Sequence, residues 1–325
     1  SRDNDKADWY VWADAKDDGT PPNNWQSVFG MGAWQWDARR GQYYLHNCLV
    51  EQPDLNLHNS VVQDAILDVT KFWLDRGVDG FRLDALNFGM HDRDLRDNPI
   101  ETEHKRPPTR PFDFQRHTMN MSQPEVIPFI ERIRGVLNAA GAEKFTVAEV
   151  GGPWPLKEMK AFTEGQSRLH SAYAFDFLYA DQITAELVRN TQADWPGASG
   201  EGWPSWAFEN HDAPRAVTRW RGSNPTAQYA KLLALLMMGL RGNGFLYYGE
   251  ELGLEQGEIA FEDLKDPEAI ANWPETLGRD GARTPMPWDE SGNDYAGFSE
   301  GKPWLPVQES HTALSVAAQT ADPNS

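Results

Sequence analysis

Three short apolar runs in this chain each lead into a carboxylate, and these carboxylates are Asp84, Glu149 and Asp212. Runs of this length, rich in Val, Phe and Ala, are typical of buried β-strands. Helical patterns separate them along the chain, and strands joined by helical crossovers pair in parallel. Because the carboxyl ends of parallel strands meet at one edge of a sheet, we predict a parallel α/β fold in which the three carboxylates share that edge.

Arg82 and Asp84 lie two residues apart at the end of the first run. The period of two in a β-strand therefore places both side chains on one face. Charges near an interior are stable when they pair or meet a polar ligand, so this pattern fits a structural ion pair or a binding site. A metal site that joins this carboxylate to Glu149, His211 and Asp212 is a further interpretation. It is disfavoured because Arg82 supplies a cation where the metal would lie.

The chain outside these runs reads as an irregular N-terminal lobe followed by alternating helices and strands. In residues 1–50, short aromatic runs alternate with turn signals, which predicts a small β-rich lobe. A capping box at Ser60 begins a helix that continues to Gly77, and its apolar positions are Val62, Ile66, Val69, Phe72 and Trp73. Further helices are predicted at 124–140, 156–162, 181–190 and 226–240, and strands at 172–177 and 245–248.

Two polar segments are too irregular to be part of these elements. Residues 89–122 are longer than a plain connection between a strand and a helix, so we expect them to form the rim or the lid of a pocket. Residues 278–288, which read Gly-Arg-Asp-Gly-Ala-Arg-Thr-Pro-Met-Pro-Trp, lie in an acidic C-terminal region with loop character.

Several of these segments together resemble signature regions of the α-amylase superfamily of glycoside hydrolases. They are residues 80–84 (Gly-Phe-Arg-Leu-Asp), the Ala-Glu pair at 148–149 and residues 210–212 (Asn-His-Asp). Residues 52–56 (Gln-Pro-Asp-Leu-Asn) resemble the motif of the oligo-1,6-glucosidase and α-glucosidase branch, and 283–286 resemble its Arg-Thr-Pro-Met loop. Each segment is weak alone, but their shared order and spacing are specific.

The resemblance implies part of a (β/α)8 TIM barrel, strands 4 to 8, with a small β-rich domain inserted before strand 4. Residues 1–50 are expected to belong to that domain, and 51–255 to the barrel strands and their helices. Residues 256–325 are expected to form the loop after strand 8 that leads towards the last barrel helix. The first three strands and the C-terminal domain are expected outside this segment, so the segment alone is expected to be inactive or poorly folded.

The resemblance also implies a reaction, the retaining cleavage of a glycosidic bond, with no cofactor in the chemistry. Asp84 matches the nucleophile and Glu149 the acid/base, whose pKa rises if its pocket is poorly hydrated. The two carboxyl groups are then expected about 5 to 5.5 Å apart. Asp212 is expected to bind sugar hydroxyls and to favour a distorted ring. A structural calcium site, if there is one, is expected in the part that precedes Ser1.

Four further residues are expected to bind substrate. Arg82 holds Asp84 ionised and aimed, His211 donates to a sugar hydroxyl, and Arg283 recognises the terminal glucose. Ala85, directly after the nucleophile, matches a position where alanine accompanies α-1,4 preference. The expected enzyme is an α-glucosidase acting on oligosaccharides or other short α-glucosides, with maltose preferred over isomaltose and transfer to other acceptors possible. The alternative is a non-catalytic homologue of this fold that serves binding or assembly.

Composition limits the other functions. The 49 acidic residues exceed the 30 Lys and Arg, which leaves a net charge of −19 and argues against a nucleic-acid partner. Cys48 is the single cysteine, so no intrachain disulfide can form. The richest apolar run, residues 232–240, is too short to cross a membrane, and we expect a cytoplasmic protein. The sequence does not determine the oligomeric state.

Overall fold

The computed structural model describes residues 2–104, 108, 110–173, 175–193, 195, 202–271, 273–274, 278–291 and 295–325. The chain forms two compact units. The first comprises residues 1–173 and 197–203, and the second comprises 174–196 and 204–325.

The first unit begins with a small antiparallel sheet. Its strands are β1 (Trp12–Ala13), β2 (Trp34–Asp37) and β3 (Gln42–Leu45), with β3 in the centre. Trp25 and Trp34, the latter the first residue of β2, are buried with their rings stacked at 5.8 Å. Together with Val11, Ala13, Ala33 and Leu45 they form a core within the lobe, and the predicted β-rich lobe is confirmed.

Helix α1 (Ser60–Leu74) follows the lobe, but its N-cap differs from the prediction. Asn59, not Ser60, is the cap, and its side chain accepts the N–H of Val61 at 2.9 Å. The buried residues of this helix are Val62, Leu67 and Leu74, while Val69, Phe72 and Trp73 of the apolar pattern are exposed. The apolar stripe is wider than the face that packs in this unit, and periodicity alone does not tell which side is covered.

Three parallel strands complete the first unit: β4 (Gly80–Leu83), β5 (Phe145–Glu149) and β6 (Ser171–Tyr173). Helices α2 (Val126–Ala140) and α3 (Pro155–Thr163) lie between them in the chain. The register pairs Leu83 with Ala148 and Glu149 with Tyr173, so the side chains that follow these pairs meet at one edge. Gly80 permits this pairing, since a Cβ atom there would lie 1.9 Å from the Phe145 carbonyl oxygen.

The second unit contains α4 (Ala185–Ala193), β7 (Pro204–Ala207), α5 (Ala216–Trp220), α6 (Thr226–Gly239) and β8 (Asn243–Phe245), followed by the short helices α7 (Pro267–Ala271), α8 (Glu309–Thr312) and α9 (Val316–Ala321). Strands β7 and β8 pair in parallel. The rings of Phe177, Phe208 and Trp220 pack edge to face at 5.3 and 5.5 Å and form part of the core of this unit.

Asp212 is not at the end of its strand, as the sequence predicted. Strand β7 ends at Ala207, five residues earlier. The Asn210 side chain accepts the N–H groups of Asp212 and Ala213 at 2.8 and 2.9 Å. This local turn competes with the extended conformation and places the carboxylate in the loop beyond the strand.

The loop of residues 89–122 packs against the β-rich lobe. Asn23 Nδ2 donates to the Leu95 carbonyl at 3.1 Å, and Trp25 Nε1 donates to the Arg96 carbonyl at 2.8 Å. The described part of this loop is thus held by the lobe within the first unit; residues 105–107 and 109 lie outside the described residues. Among the described helices, none combines the length and the apolar character needed to cross a bilayer.

Candidate active site

The predicted nucleophile and its arginine lie side by side at the end of β4. Arg82 Nη1 contacts Asp84 Oδ1 at 2.5 Å, as the period-two pattern required. The Asp84 side chain is 74% exposed, whereas the side chain of Arg82 is 34% exposed. Arg82 Nη2 also lies 2.8 Å from Glu149 Oε2. One guanidinium therefore joins the two carboxylates that the sequence placed on neighbouring strands.

Glu149, the last residue of β5, is the more buried of the two carboxylates, with 8% exposure. Burial raises its pKa, and the positive charge of Arg82 opposes part of that rise. The N–H of Ala85 donates to Glu149 Oε2 at 3.2 Å. Oε2 thus accepts from two donors, Arg82 and Ala85. The arrangement keeps a carboxyl group in a poorly hydrated place next to an ion-paired carboxylate.

Ala85 has an unusual backbone conformation. Its φ of 43° and ψ of 39° lie in the left-handed region, which non-glycine residues seldom adopt. This conformation ends β4 sharply and turns the Ala85 N–H towards Glu149. The residue after the nucleophile therefore contributes through its main chain as well as through its small side chain. Strain of this kind is common at functional sites.

His211 and Arg283, two of the predicted substrate-binding residues, lie beside Asp212 in the second unit. Arg283 Nη2 donates to Asp212 Oδ1 at 2.8 Å, and Arg283 Nε donates to the His211 carbonyl at 2.7 Å. His211 Nε2 lies 3.2 Å from Asp212 Oδ2. A second arginine, Arg279, also donates from Nη1 to Asp212 Oδ1, at 3.1 Å. One carboxylate thus accepts from two guanidinium groups.

A buried network underlies this group. Glu209 Oε1 accepts from Arg215 Nη1 at 2.7 Å, and neither side chain is exposed to solvent. Arg215 Nη1 also donates to the Tyr248 carbonyl at 2.6 Å. The Tyr248 hydroxyl in turn donates to the Thr284 carbonyl at 2.6 Å, directly after Arg283. The loop before Asp212 and the loop of Arg283 are therefore tied to one another within the second unit.

Comparison with known proteins identifies the family of this chain. A family described as the catalytic domain of alpha amylase matches residues 1–325, the whole chain. The chain belongs to this family. Its parallel strands β4 to β8 correspond to strands 4 to 8 of the (β/α)8 barrel, and the small antiparallel sheet precedes them, as predicted.

Relatives in the alpha-amylase family carry glucosidase names. A "Probable alpha-glucosidase" of Rhizobium meliloti (strain 1021) is 50% identical over 332 residues, which cover 100% of this chain and 60% of the relative. An "Oligo-1,6-glucosidase" of Parageobacillus thermoglucosidasius is 35% identical, with 100% and 61% covered. The crystal structure of an "alpha-glucosyl transfer enzyme, XgtA" is 51% identical with a TM-score of 0.94 and covers 100% of this chain and 61% of that one. The chain thus spans about 60% of the length of these relatives.

Sequence reasoning missed two polar residues in the first unit and the alpha-amylase motifs gave no hint of them. Tyr173 ends β6, where its hydroxyl accepts from Arg82 Nε at 3.0 Å and donates to Glu149 Oε1 at 3.4 Å. The only signal was an aromatic residue within the strand predicted at 172–177, which the structure places at Ser171–Tyr173. Asn87, three residues after Asp84, is buried and donates to the Gly151 carbonyl at 3.1 Å.

Arg279 and Asp266 were missed in the second unit. Asp266 is buried and accepts from Arg279 Nε at 3.1 Å and from Nη2 at 2.7 Å, so the guanidinium is held in a fixed plane. The paired guanidinium contributes to holding the pKa of Asp266 below its usual range although burial raises it. The signal available was the position of Arg279 four residues before Arg283 in the same motif.

The metal interpretation finds no arrangement to support it in the part of the chain that the structure describes. Within those residues, no group of three or more His, Cys, Asp or Glu side chains is placed to hold a metal ion. Asp84 and Glu149 share Arg82 as their cation.

Proposed function

We propose that the full-length protein is a retaining α-glucosidase, which removes terminal α-linked glucose from short α-glucosides. The observation that carries the proposal is the unequal pair of carboxyl groups in the first unit. Glu149 is buried, and burial raises its pKa, whereas Asp84 is exposed and ion-paired with Arg82. Two neighbouring carboxyl groups in such different environments suit an acid and a nucleophile.

In the first step of the proposed reaction, a carboxylate oxygen of Asp84 forms a bond to C1 of the terminal glucose. The bond between C1 and the leaving oxygen breaks, and Glu149 transfers its proton to that oxygen. We assign this proton to Glu149 Oε1, because Oε2 already accepts from Arg82 and from the Ala85 N–H. Tyr173, which contacts Oε1 at 3.4 Å, helps to orient the carboxyl group.

In the second step, the Glu149 carboxylate takes a proton from a water molecule or from the hydroxyl of another sugar. The oxygen of that acceptor bonds to C1 while the bond to Asp84 breaks, so two inversions at C1 retain the α configuration. Water yields free glucose and a hydroxyl acceptor yields a new glucoside. The similarity to the "alpha-glucosyl transfer enzyme, XgtA" supports transfer as a second outcome.

Asp212 is proposed to bind the hydroxyls of the terminal glucose, with His211 and Arg283 beside it. Charged hydrogen-bonding groups that are already oriented before the sugar binds reduce the free-energy cost of ordering the site. The hydrogen bonds from Arg279 and Arg283 fix the orientation of the Asp212 carboxylate. The glucosidase names of the relatives support glucose as the recognised sugar. We further propose a preference for α-1,4 linkages, supported by the small side chain of Ala85.

The non-catalytic alternative gains no support from the site, because Asp84, Glu149 and Asp212 are all present with charged partners. A protein that used this fold for binding alone would not need a buried acid beside a paired carboxylate.

The test is hydrolysis of an aryl α-glucoside by the full-length protein. The variants Asp84→Asn and Glu149→Gln should each lower kcat by roughly 100-fold or more, since a nucleophile and a general acid contribute at least that much. Glu158→Gln is a matched control because Glu158 is equally buried, at 8% exposure, and burial raises its pKa to about 7. Wild-type rates in Asp84→Asn would refute the assignment. If NMR shows that β-glucose is the anomer released initially, the retaining mechanism is refuted.

A further inference from the structure

We propose that Asn87 is a positioning residue that holds the acid/base Glu149 in place relative to the nucleophile Asp84. The inference rests on the proposed function and adds a residue to it. Asn87 belongs to the short 3₁₀ turn Leu86–Phe88, directly after the left-handed Ala85. It is 2% exposed, and its side-chain amide donates to the carbonyl oxygen of Gly151, two residues beyond Glu149.

The backbone after Glu149 has few other restraints within the strand ladder. Strand β5 ends at Glu149, whose partner Tyr173 is the last residue in the ladder with β6. The next residues include Gly151 and Gly152, and Gly152 has a φ of +89°. Glycines add conformational freedom where the strand no longer restrains the chain. The backbone that carries the acid/base is therefore held from one side by the ladder and from the other by the Asn87 amide.

Asn87 also connects to the far end of the 89–122 loop. Its carbonyl oxygen accepts the N–H of Ser122 at 2.7 Å. The surroundings are tight, because a Cβ atom on Gly152 would lie 3.1 Å from Asn87 Nδ2 and 3.2 Å from Ser122 Oγ. This packing restricts the orientation of the buried amide. Three segments, those that follow Asp84 and Glu149 and the end of the long loop, therefore meet at Asn87, through its side-chain amide and its main-chain carbonyl.

Two hydrogen bonds, from the Ala85 N–H to Glu149 and from the Asn87 amide to Gly151, therefore connect the residues that follow Asp84 with Glu149 and the residues that follow it. The separation of the two carboxyl groups decides whether one sugar can meet both. A displacement of about 1 Å can lower a rate by roughly 100-fold. Loss of the Asn87 amide should therefore impair proton donation by Glu149 more than attack by Asp84, since the amide holds the Glu149 segment.

The experiment compares leaving groups in the full-length protein. The variant Asn87→Leu has nearly the same size and lacks the donor. Phenyl α-glucoside, whose leaving group needs a proton, should lose kcat/KM by roughly 100-fold, and 4-nitrophenyl α-glucoside by less than about tenfold. Azide, which attacks the glucosyl intermediate without proton removal, should raise turnover of the nitrophenyl substrate and yield α-glucosyl azide. Gln63→Leu is the control, since the Gln63 amide likewise donates to a main-chain carbonyl, that of Leu57.

A purely structural role gives a different result. Equal losses with both substrates and no response to azide would overturn the proposal, as would a Gln63→Leu variant with the same leaving-group dependence. If Asn87→Leu does not fold, Asn87→Ser keeps a shorter donor and should show the same trend at smaller amplitude. If the wild type cleaves no α-glucoside, the proposed function is refuted, and the role of Asn87 is then tested by crystal structures of the wild type and the variant. Unchanged positions of Gly151 and Glu149 in the variant would overturn the role of Asn87.

Discussion

Replacement of Arg215 by Met tests how much the buried network beneath Asp212 contributes to stability. Arg215 and Glu209 are both fully buried, and their Nη1 and Oε1 atoms lie 2.7 Å apart. The variant would leave the Glu209 carboxylate with the Ala216 N–H, at 2.6 Å, as a remaining donor. Removing one partner of a buried ion pair costs about 3 to 5 kcal/mol, because the other charge stays without compensation. Burial already raises the pKa of Glu209, so protonation of Glu209 limits the cost.

The pair between Arg221 and Glu255 provides the matched control. Its Nε and Oε1 atoms lie 2.6 Å apart, a similar distance, but the two side chains are 32% and 36% exposed. Water and salt screen such a pair, so Arg221→Met should cost no more than about 1 kcal/mol. The comparison separates burial from distance as the cause of the effect.

Thermal unfolding of the full-length protein, followed by circular dichroism at pH 7, measures both variants. A loss of 3 to 5 kcal/mol in a unit of this size lowers Tm by roughly 6 to 20 °C, whereas Arg221→Met should lower it by no more than about 4 °C. Adding Glu209→Gln to Arg215→Met should restore part of the loss, since the uncompensated charge is gone. Equal Tm shifts for the two arginine variants would refute the reasoning.

Three further predictions concern pH, linkage and surface. Burial raises the pKa of Glu250 to about 8, so between roughly pH 4.5 and 8 the folded protein keeps a proton that the unfolded chain releases, and stability falls as pH rises. Glu250→Gln should flatten this fall in Tm, and parallel curves for variant and wild type would contradict it. The kcat/KM for maltose should exceed that for isomaltose by roughly 10-fold or more. The variant Ala85→Gly, which suits the left-handed backbone better than Ala85→Val, should keep that preference. Equal kcat/KM values for the two disaccharides would show that Ala85 does not govern linkage. Leu235 and Met238 on α6 are 71% and 81% exposed, so the chain produced alone should bind a hydrophobic dye. Glutamate at both positions should weaken the dye signal, and an unchanged signal would locate the dye elsewhere.

The sequence by itself determined the features that depend on neighbouring residues. The alternation of side chains in a strand placed Arg82 and Asp84 on one face, and the structure contains that ion pair. The apolar run that leads into Glu149 forms β5, as predicted. The family followed from short motifs read in order, and the comparison confirmed it. Each of these conclusions needs only backbone period and residue identity over a few positions.

Tertiary structure alone decided the contacts between distant segments. Tyr173 reaches Arg82 across 91 positions in the chain, and Arg279 reaches Asp212 across 67. Such pairs depend on strand register and on loop closure, which local patterns do not encode. The same limit explains α1, where the apolar stripe was visible but the covered face was not. The sequence thus specified which chemical groups are available, and packing decided which of them meet.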